Sequence, residues 1–442
     1  MKKIMLILLM MVTVLPLSAQ RSGRGSSLVE PDYKDVNYAG DDIEAHRLDI
    51  YKPKNVEGKS KVVIVIYGSA WFSNNAKVMA FNSIGMPLLN AGFSVVCINH
   101  RSSSDACFPA QIHDVKGAIR FIRANADRYG LDTTFIGITG YSSGGHLSSL
   151  AGVTGDIHWA SIGDVRVDLD GNIGGNLDIR SDVDAVVDWF GPVDMSRMQD
   201  CSKVKDAKSP EAALIGGNPA DMPEMVNLIS PIYYVNSNCP RFLVIHGDAD
   251  NVVPYCQSEY FAARLESYGR LEEFVTVPNG QHGPITFNET TFKKMTDFFK
   301  KESESIETVS AEEIMDELKS CGVFYLATVD GNQPRVRPFG ALAVYEGRLY
   351  LQTGKVKNVF KQLSVNGKFE LCAMKPSGTE WIRVSGRLVN DDRLAAKEHM
   401  LNVNPSLKSM YKADDDNTAV LYVADGEATF SSFSTKPRTV KF

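Results

Sequence analysis

A chain of 442 residues, 44% hydrophobic and 23% charged, is longer than one ordinary domain and holds apolar material for two or three cores. Its net charge of −6 is spread along the sequence, which excludes the basic stripe of a nucleic-acid-binding protein. After residue 20 no apolar run is long enough to span a bilayer, so no membrane span is expected.

The chain opens with Lys2 and Lys3, an apolar run from Ile4 to Leu17, and the small residues Ser18 and Ala19. This is the pattern of a signal peptide over residues 1–19, and it predicts an exported protein, periplasmic or secreted. No cysteine stands at the cleavage site, so no lipid anchor is expected. The seven cysteines (97, 107, 201, 239, 256, 321 and 372) follow no metal spacing, and no metal site is expected. Their odd number leaves at least one thiol unpaired within a monomer. Export permits a disulfide, but the sequence does not choose the pair.

Residues 20–300 alternate β-branched runs with helical stretches. Lys61-Val-Val-Ile-Val-Ile-Tyr67 reads as a strand buried on both faces, and similar runs recur at 94–99, 134–139, 185–190, 241–246 and 273–277. Helical stretches at 111–129 and 257–269 lie between them, which predicts a mostly parallel sheet covered by helices. The Gly-, Asp- and Asn-rich segment 153–181 fits neither period and is expected to be an excursion above the sheet, near the substrate. Residues 301–310 are charged and patternless and read as a linker. From 311 to 442 short alternating strands follow, at 323–329, 335–344, 348–352, 369–373, 380–388 and 419–428. Turn pairs such as Asp330-Gly331 separate several of them, which predicts a small antiparallel barrel.

Gly140-Tyr-Ser142-Ser-Gly144 stands between the strand 134–139 and a helix at 145–151. In that setting a sharp strand-to-helix turn holds the Ser142 hydroxyl exposed as a nucleophile, and small flanking residues let the backbone pass. Serine needs a base oriented by a carboxylate. The strand 241–245 leads into His246-Gly-Asp248-Ala-Asp250, which offers two carboxylates, and His282 follows in the loop after the next strand. The order Ser, Asp, His is that of an α/β-hydrolase. One oxyanion donor is expected at the Ser143 amide. The other should come from Tyr67-Gly-Ser69-Ala70-Trp71, whose small residues let amides point into the site. His246, His113 and His146 read as structural, whereas His100 and His158 are free to line the pocket.

On Leu48-Asp-Ile-Tyr51, the Tyr67 to Trp71 loop, the 108–115 segment, Gly140 to His146, Trp189-Phe-Gly-Pro-Val-Asp194 and His246 to Pro254, the region from about 46 to 298 resembles bacterial feruloyl and acetylxylan esterases of the α/β-hydrolase fold. The resemblance implies Ser142 as nucleophile, Asp250 rather than Asp248 as the acid, His282 as base, and Ser69 or Ala70 with Ser143 as oxyanion donors. Tyr67 departs from the histidine usual in that family, and its hydroxyl is a candidate neighbour of the oxyanion.

Residues 311–442 resemble the pyridoxamine-5′-phosphate-oxidase-like split barrels, on the segments 323–328, Pro334-Arg-Val-Arg-Pro-Phe339, 349–355 and 381–386. The resemblance implies FMN and a homodimer through the barrel. Arg335, Arg337, Lys355 and Lys357 are candidates for the phosphate, with Thr353 offering a hydroxyl and Trp381 near the flavin. The expectation is an exported carboxylic ester hydrolase acting on acyl groups, acetyl or feruloyl, of plant polysaccharides or phenolic conjugates. Its rivals are a serine exopeptidase of the prolyl-oligopeptidase type and a flavin-dependent reductase with an accessory hydrolase domain.

Overall fold

The computed structural model describes residues 29–442 except 156, 178 and 202–208, so the segment read as a signal peptide lies outside the described residues. The strands β1 (Tyr33–Asn37), β2 (Arg47–Tyr51), β3 (Ser60–Ile66), β4 (Ser94–Ile98) and β5 (Leu131–Tyr141) come first. A short hairpin, β6 (Trp159–Ile162) and β7 (Val165–Asp168), precedes β8 (Ala185–Trp189), β9 (Arg241–Gly247) and β10 (Leu271–Val277). All but the hairpin form one sheet in the order β1-β2-β4-β3-β5-β8-β9-β10. From β4 to β10 neighbouring strands are parallel, and β1 and β2 close one edge antiparallel.

The β-branched runs produce this sheet because both of its faces are covered. Along β3, Val62, Ile64 and Ile66 feed one core, and Val63, Val65 and Tyr67 feed the other, since successive side chains point to opposite faces. Helices α1 (Ala110–Ala124), α2 (Ser143–Val153) and, beyond the short α3 (Pro210–Ile215), α4 (Cys256–Ser267) supply Ile112, Ile119, Leu147, Leu150, Phe261 and Leu265 to the first core. Helix α5 (Glu289–Ser305) supplies Met295, Phe298 and Phe299 to the second. Each such side chain, fully buried, contributes about 1.5–3 kcal/mol.

No described residue of the excursion 153–181 lines the cavity at Ser142, which corrects the expectation of a place near the substrate. The excursion folds down onto α1: His113 meets the Asp168 carbonyl, Arg120 pairs with Asp170, and the buried Lys116 donates to the carbonyls of Thr154 and Ile157. The cations of α1 are buried and need oxygen partners, which this Asp-rich segment provides. Helix α5 runs to Ser305, into the stretch read as linker, because Glu302 and Ser303 still face buried surroundings.

The C-terminal domain opens with α6 (Ala311–Cys321). Then come β11 (Phe324–Asp330), β12 (Gln333–Phe339), β13 (Leu342–Tyr345), β14 (Arg348–Gly354), α7 (Asn358–Val365), β15 (Lys368–Met374), β16 (Glu380–Asp391), α8 (Leu394–Val403), β17 (Thr418–Ser432) and β18 (Arg438–Lys441). The sheet order is β12-β11-β15-β16-β17-β14-β13, with β18 on β17, and every pairing is antiparallel. It is a split barrel around Leu326, Leu351, Leu371, Ile382 and Val384. The run 335–344, read as one strand, is two strands at opposite ends of this order. Pro334 and Pro338 cannot donate to a ladder, which keeps β12 at an edge, and the chain leaves it at Gly340.

The barrel is fastened to the hydrolase sheet at the end remote from its carboxyl termini. Lys441 Nζ meets Asp184 Oδ1 at 2.5 Å, just before β8, and the Thr134 carbonyl of β5 at 3.0 Å. Arg348 pairs with Asp127, just before β5. Eight extended residues separate Thr134 from Ser142, roughly 25 Å along the strand.

Candidate active site

Ser142 occupies the turn between β5 and α2 with φ 57° and ψ −127°, a conformation that costs on the order of 1–3 kcal/mol for a residue with a side chain. The turn is possible because its neighbours are small. A Cβ on Gly140 would lie 2.4 Å from the Gly144 carbonyl oxygen, and one on Gly144 would lie 2.3 Å from that of Ile66. The Ser142 amide is held by the Trp189 carbonyl at 2.9 Å, so the adjacent strand β8 fixes the turn.

His282 reaches this serine from the loop after β10, its Nε2 2.9 Å from Ser142 Oγ. Its Nδ1 lies 2.7 Å from Asp250 Oδ2, beyond the end of β9. Three elements thus bring Ser142, His282 and Asp250 into one hydrogen-bonded row. Asp250 is buried, and its Oδ1 accepts the amides of Val252 and Val253 at 2.8 and 3.0 Å. Burial alone would raise its carboxyl, but hydrogen bonds from His246 and His282 outweigh that and hold it well below the usual carboxylate range. Asp248, by contrast, is exposed and accepts the Asn279 amide at 2.6 Å. His246 is more than a strand end: its Nε2 lies 3.3 Å from Asp250 Oδ2 and its Nδ1 2.7 Å from Ser258 Oγ. Its place four residues before Asp250, at the close of a strand, was the available signal. The His282 ring rests on Phe190, centroids 4.7 Å apart.

The oxyanion side is narrower than the sequence implied. The Ser69 amide donates to Ser143 Oγ at 2.9 Å, so it does not face the cleft. Ala70 and Trp71 take φ of 51° and 59°, which turns the loop, and Ala70 lines the cleft together with Ser142 and Ser143. The Tyr67 hydroxyl donates to the Ser73 carbonyl at 3.0 Å and its ring stacks on His100, so it is directed away from the oxyanion position. His146, whose titration burial pushes down to about 4, is neutral near pH 7. It accepts from Trp71 Nε1 at 3.3 Å while its Nε2–H meets the Ile229 carbonyl at 2.7 Å, tying the loop to α2. Neither His100 nor His158 lines the cleft; His158 is exposed and pairs with Asp170.

A cavity of about 290 Å³ opens at Ser142. Its walls are Trp71, Pro192, Met198, Glu211 and the 251–254 loop; Met198 and Glu211 were not singled out by sequence, whereas the others lie in segments that carried the family resemblance. The disulfide Cys201–Cys256 ties the wall segment to α4, and Cys97, Cys107, Cys321 and Cys372 form no disulfide among the described residues. A hydroxyl, an imidazole and a buried carboxylate in a row can form and collapse a tetrahedral acyl intermediate.

In the barrel the six candidate residues do not converge. Arg337 donates to Leu326 O, Thr328 Oγ1 and Gln362 Oε1 at 3.3, 2.6 and 2.8 Å, so its guanidinium is committed to the protein. Lys355 pairs with Asp392 at 2.7 Å, Arg335 lies 3.5 Å from Asp330 on the surface, and Trp381 packs on Phe433. Lys357 does line a cavity of about 340 Å³, with Gln352, Phe339, Asn404, Leu407 and Tyr411. The Gln352 amide and the Thr353 hydroxyl are buried and have no hydrogen-bond partner among the described residues. Gln352 faces the cavity beside Lys357, whereas Thr353, the next residue of β14, points to the other face; an unmet amide beside a cation fits an anionic ligand with hydrogen-bonding groups, as FMN is. Among the described residues no three His, Cys, Asp or Glu side chains come together as metal ligands would.

Comparison with known proteins agrees with both folds. The BD-FAE family model matches residues 48–265 and the pyridoxamine 5′-phosphate oxidase model residues 310–438. The Mycobacterium tuberculosis esterases LipC and LipQ are 32% and 31% identical over 55% and 53% of this chain. The chain spans a little over half of their length, 58% and 53%. Among solved structures, a bifunctional GH43-CE protein of Bacteroides eggerthii is 60% identical with a TM-score of 0.60, over 61% of this chain and 35% of its own. A truncated carbohydrate esterase from gut microbiota is 54% identical with a TM-score of 0.60, over 62% of this chain and 96% of its own. Residues 48–265 form an α/β-hydrolase domain of the BD-FAE family, and residues 310–438 behind it form a split barrel of the pyridoxamine 5′-phosphate oxidase family.

Proposed function

We propose that the protein is an exported serine carboxylic ester hydrolase that removes acyl groups, acetyl or feruloyl, from plant polysaccharides. The observation that carries this reading is the row Ser142–His282–Asp250, with hydrogen bonds of 2.9 and 2.7 Å. Ser142 Oγ attacks the ester carbonyl carbon as His282 Nε2 takes its proton, and the imidazolium is stabilised by Asp250. The developing oxyanion is met by the amides of Ala70 and Ser143. Collapse of the intermediate expels the alcohol, which takes the proton from His282 and leaves an acyl-serine. Water, deprotonated by His282, releases the acid. The saccharide part of the reading is supported by the carbohydrate-esterase neighbours, and export by the leader over residues 1–19. Ser142→Ala should lower turnover of 4-nitrophenyl acetate and of acetylated xylan by roughly 10⁴-fold or more, with unchanged circular dichroism. Near-normal turnover by that variant would remove Ser142 from the mechanism.

For the barrel we infer an FMN site in the Gln352–Lys357 cavity, Lys357 meeting the phosphate and the Gln352 amide adding hydrogen bonds. Bound there, FMN would supply redox chemistry, for which ester hydrolysis has no need. Exposed Tyr325, Val336, Met374 and Phe433 on the same domain favour a second copy of the barrel as partner.

A further inference from the structure

The cleft at Ser142 does not end at its own walls. Met198, Gln199, Ser209 and Glu211 separate it from a second cavity of about 690 Å³ and line both. The larger cavity is walled by Met195, Pro219, Pro223 and Val226, with the amide of Asn227 between them. Its size is that of a small-ligand site.

Glu211 stands at the junction. It is only 8% exposed, yet it forms no hydrogen bond or ion pair with any described residue. A first-turn acid of α3 that served only the helix end would lie in solvent. A carboxylate that lines two cavities and has no donor among the described residues keeps its oxygens available to a ligand that brings hydroxyl donors. Gln199, exposed at the same junction, adds a donor and an acceptor. A carboxylate and an amide side by side suit neighbouring hydroxyls, and the methionine and proline walls suit the C–H faces of a sugar ring.

We propose that Glu211 is a specificity-determining residue that accepts hydrogen bonds from saccharide hydroxyls on the alcohol half of the ester, which enters the larger cavity while the acyl group stays beside Ser142. The inference rests on the polysaccharide reading above and assigns that recognition to one side chain. Because Glu211 touches the leaving group and not the carbonyl, its removal alters the choice between alcohols more than the acyl chemistry.

The test compares kcat/KM on acetylated xylotriose and on 4-nitrophenyl acetate, which share the acyl group but differ in alcohol. It uses the full chain as wild type, Glu211→Gln and Glu211→Ala. The ratio of xylotriose ester to nitrophenyl ester should fall roughly ten- to hundredfold in Glu211→Ala, and less in the isosteric Glu211→Gln. A ratio that stays constant in both variants overturns the inference, as does an equal loss on both substrates, or a failure to fold, which would make Glu211 structural. A wild type that cleaves 4-nitrophenyl acetate but not acetylated xylotriose overturns the polysaccharide reading itself, and the inference with it. Cleavage of an aminoacyl nitroanilide by the wild type, lost in Glu211→Gln, would identify Glu211 as an anchor for an amine and overturn it too.

Discussion

The cleft of the hydrolase and the cavity of the barrel were approached from the sequence in the same way, and they came out differently. In the hydrolase, Ser142, Asp250 and His282 stand 140 residues apart at the extremes and meet within hydrogen-bond reach. In the barrel, four cations chosen for a phosphate point to four destinations, and one of them lines the cavity. Each triad residue follows the carboxyl end of a parallel strand, so the sheet itself delivers them to one edge. The barrel cations were grouped only by nearness in sequence. Along strands and turns that nearness does not fix direction, and the half-buried Arg337 guanidinium takes the acceptors its neighbours offer. Topology, more than residue type, makes a constellation legible.

The widest contrast within the hydrolase lies between its two carboxylates. Asp250→Asn should lower kcat by roughly 10³–10⁴-fold, because the imidazole loses the acceptor that sets its tautomer. Asp248→Asn, whose partner is a single loop amide, should stay within about threefold. Steady-state kinetics on one activated ester separates them, and equal losses would break the topological account of the site.

A stability effect should follow from Asp188, buried at the end of β8. Its Oδ1 accepts the Gly191 amide at 3.0 Å and lies against Gly145 of the nucleophile helix. Burial pushes this carboxyl up to about 7 despite that amide. A folded-state value above the unfolded one means that the protonated form is favoured in the native protein. Its stabilising contribution is complete below about pH 4 and is lost as pH rises through about 7. Asp188→Asn should therefore flatten the pH dependence of stability between pH 4 and 7 by on the order of 4 kcal/mol. Chemical denaturation at several pH values measures it, and parallel curves for the two proteins would contradict the assignment.

The smallest effect is expected in the barrel. Lys357→Ala should weaken FMN binding by the full chain by about tenfold or more, the value of one charge-assisted hydrogen bond. Lys355→Ala, already neutralised by Asp392, should change it by less than about twofold. Titration followed by flavin fluorescence decides, and the reverse order would restore the cation set read from sequence.

Much of the molecule was written in its hydrophobic pattern. Runs such as 61–67 and 241–246 are apolar on both faces, and only a covered parallel sheet accommodates that. The hairpin of β1 and β2 escaped notice because its alternation is broken by Asp35 and Asp49. The run 335–344 hid a crossing of the whole barrel, since Gly340 is a single quiet residue. The nucleophile, base and order of the triad were legible from strand-end motifs, whereas the choice between Asp248 and Asp250 came from family resemblance and not from residue chemistry. The Ser69–Ser143 hydrogen bond and the positive φ at Ala70 and Trp71 shape the loop beside Ser142, and no residue type there announces either. Glu211 lies in a six-residue helix too short to show a period, and Met198 and Gln199 in a turn without one, so no pattern marked them.

The central claim is that Ser142 is the nucleophile of an ester hydrolase, and covalent trapping tests it most directly. The full chain would be treated with a fluorophosphonate, digested and mapped by mass spectrometry, with residual activity on 4-nitrophenyl acetate followed in parallel. The account predicts one adduct, on Ser142, formed in step with the loss of activity and absent from Asp250→Asn over the same time. An adduct on Ser143 or another serine, or full inactivation with Ser142 unmodified, would contradict it.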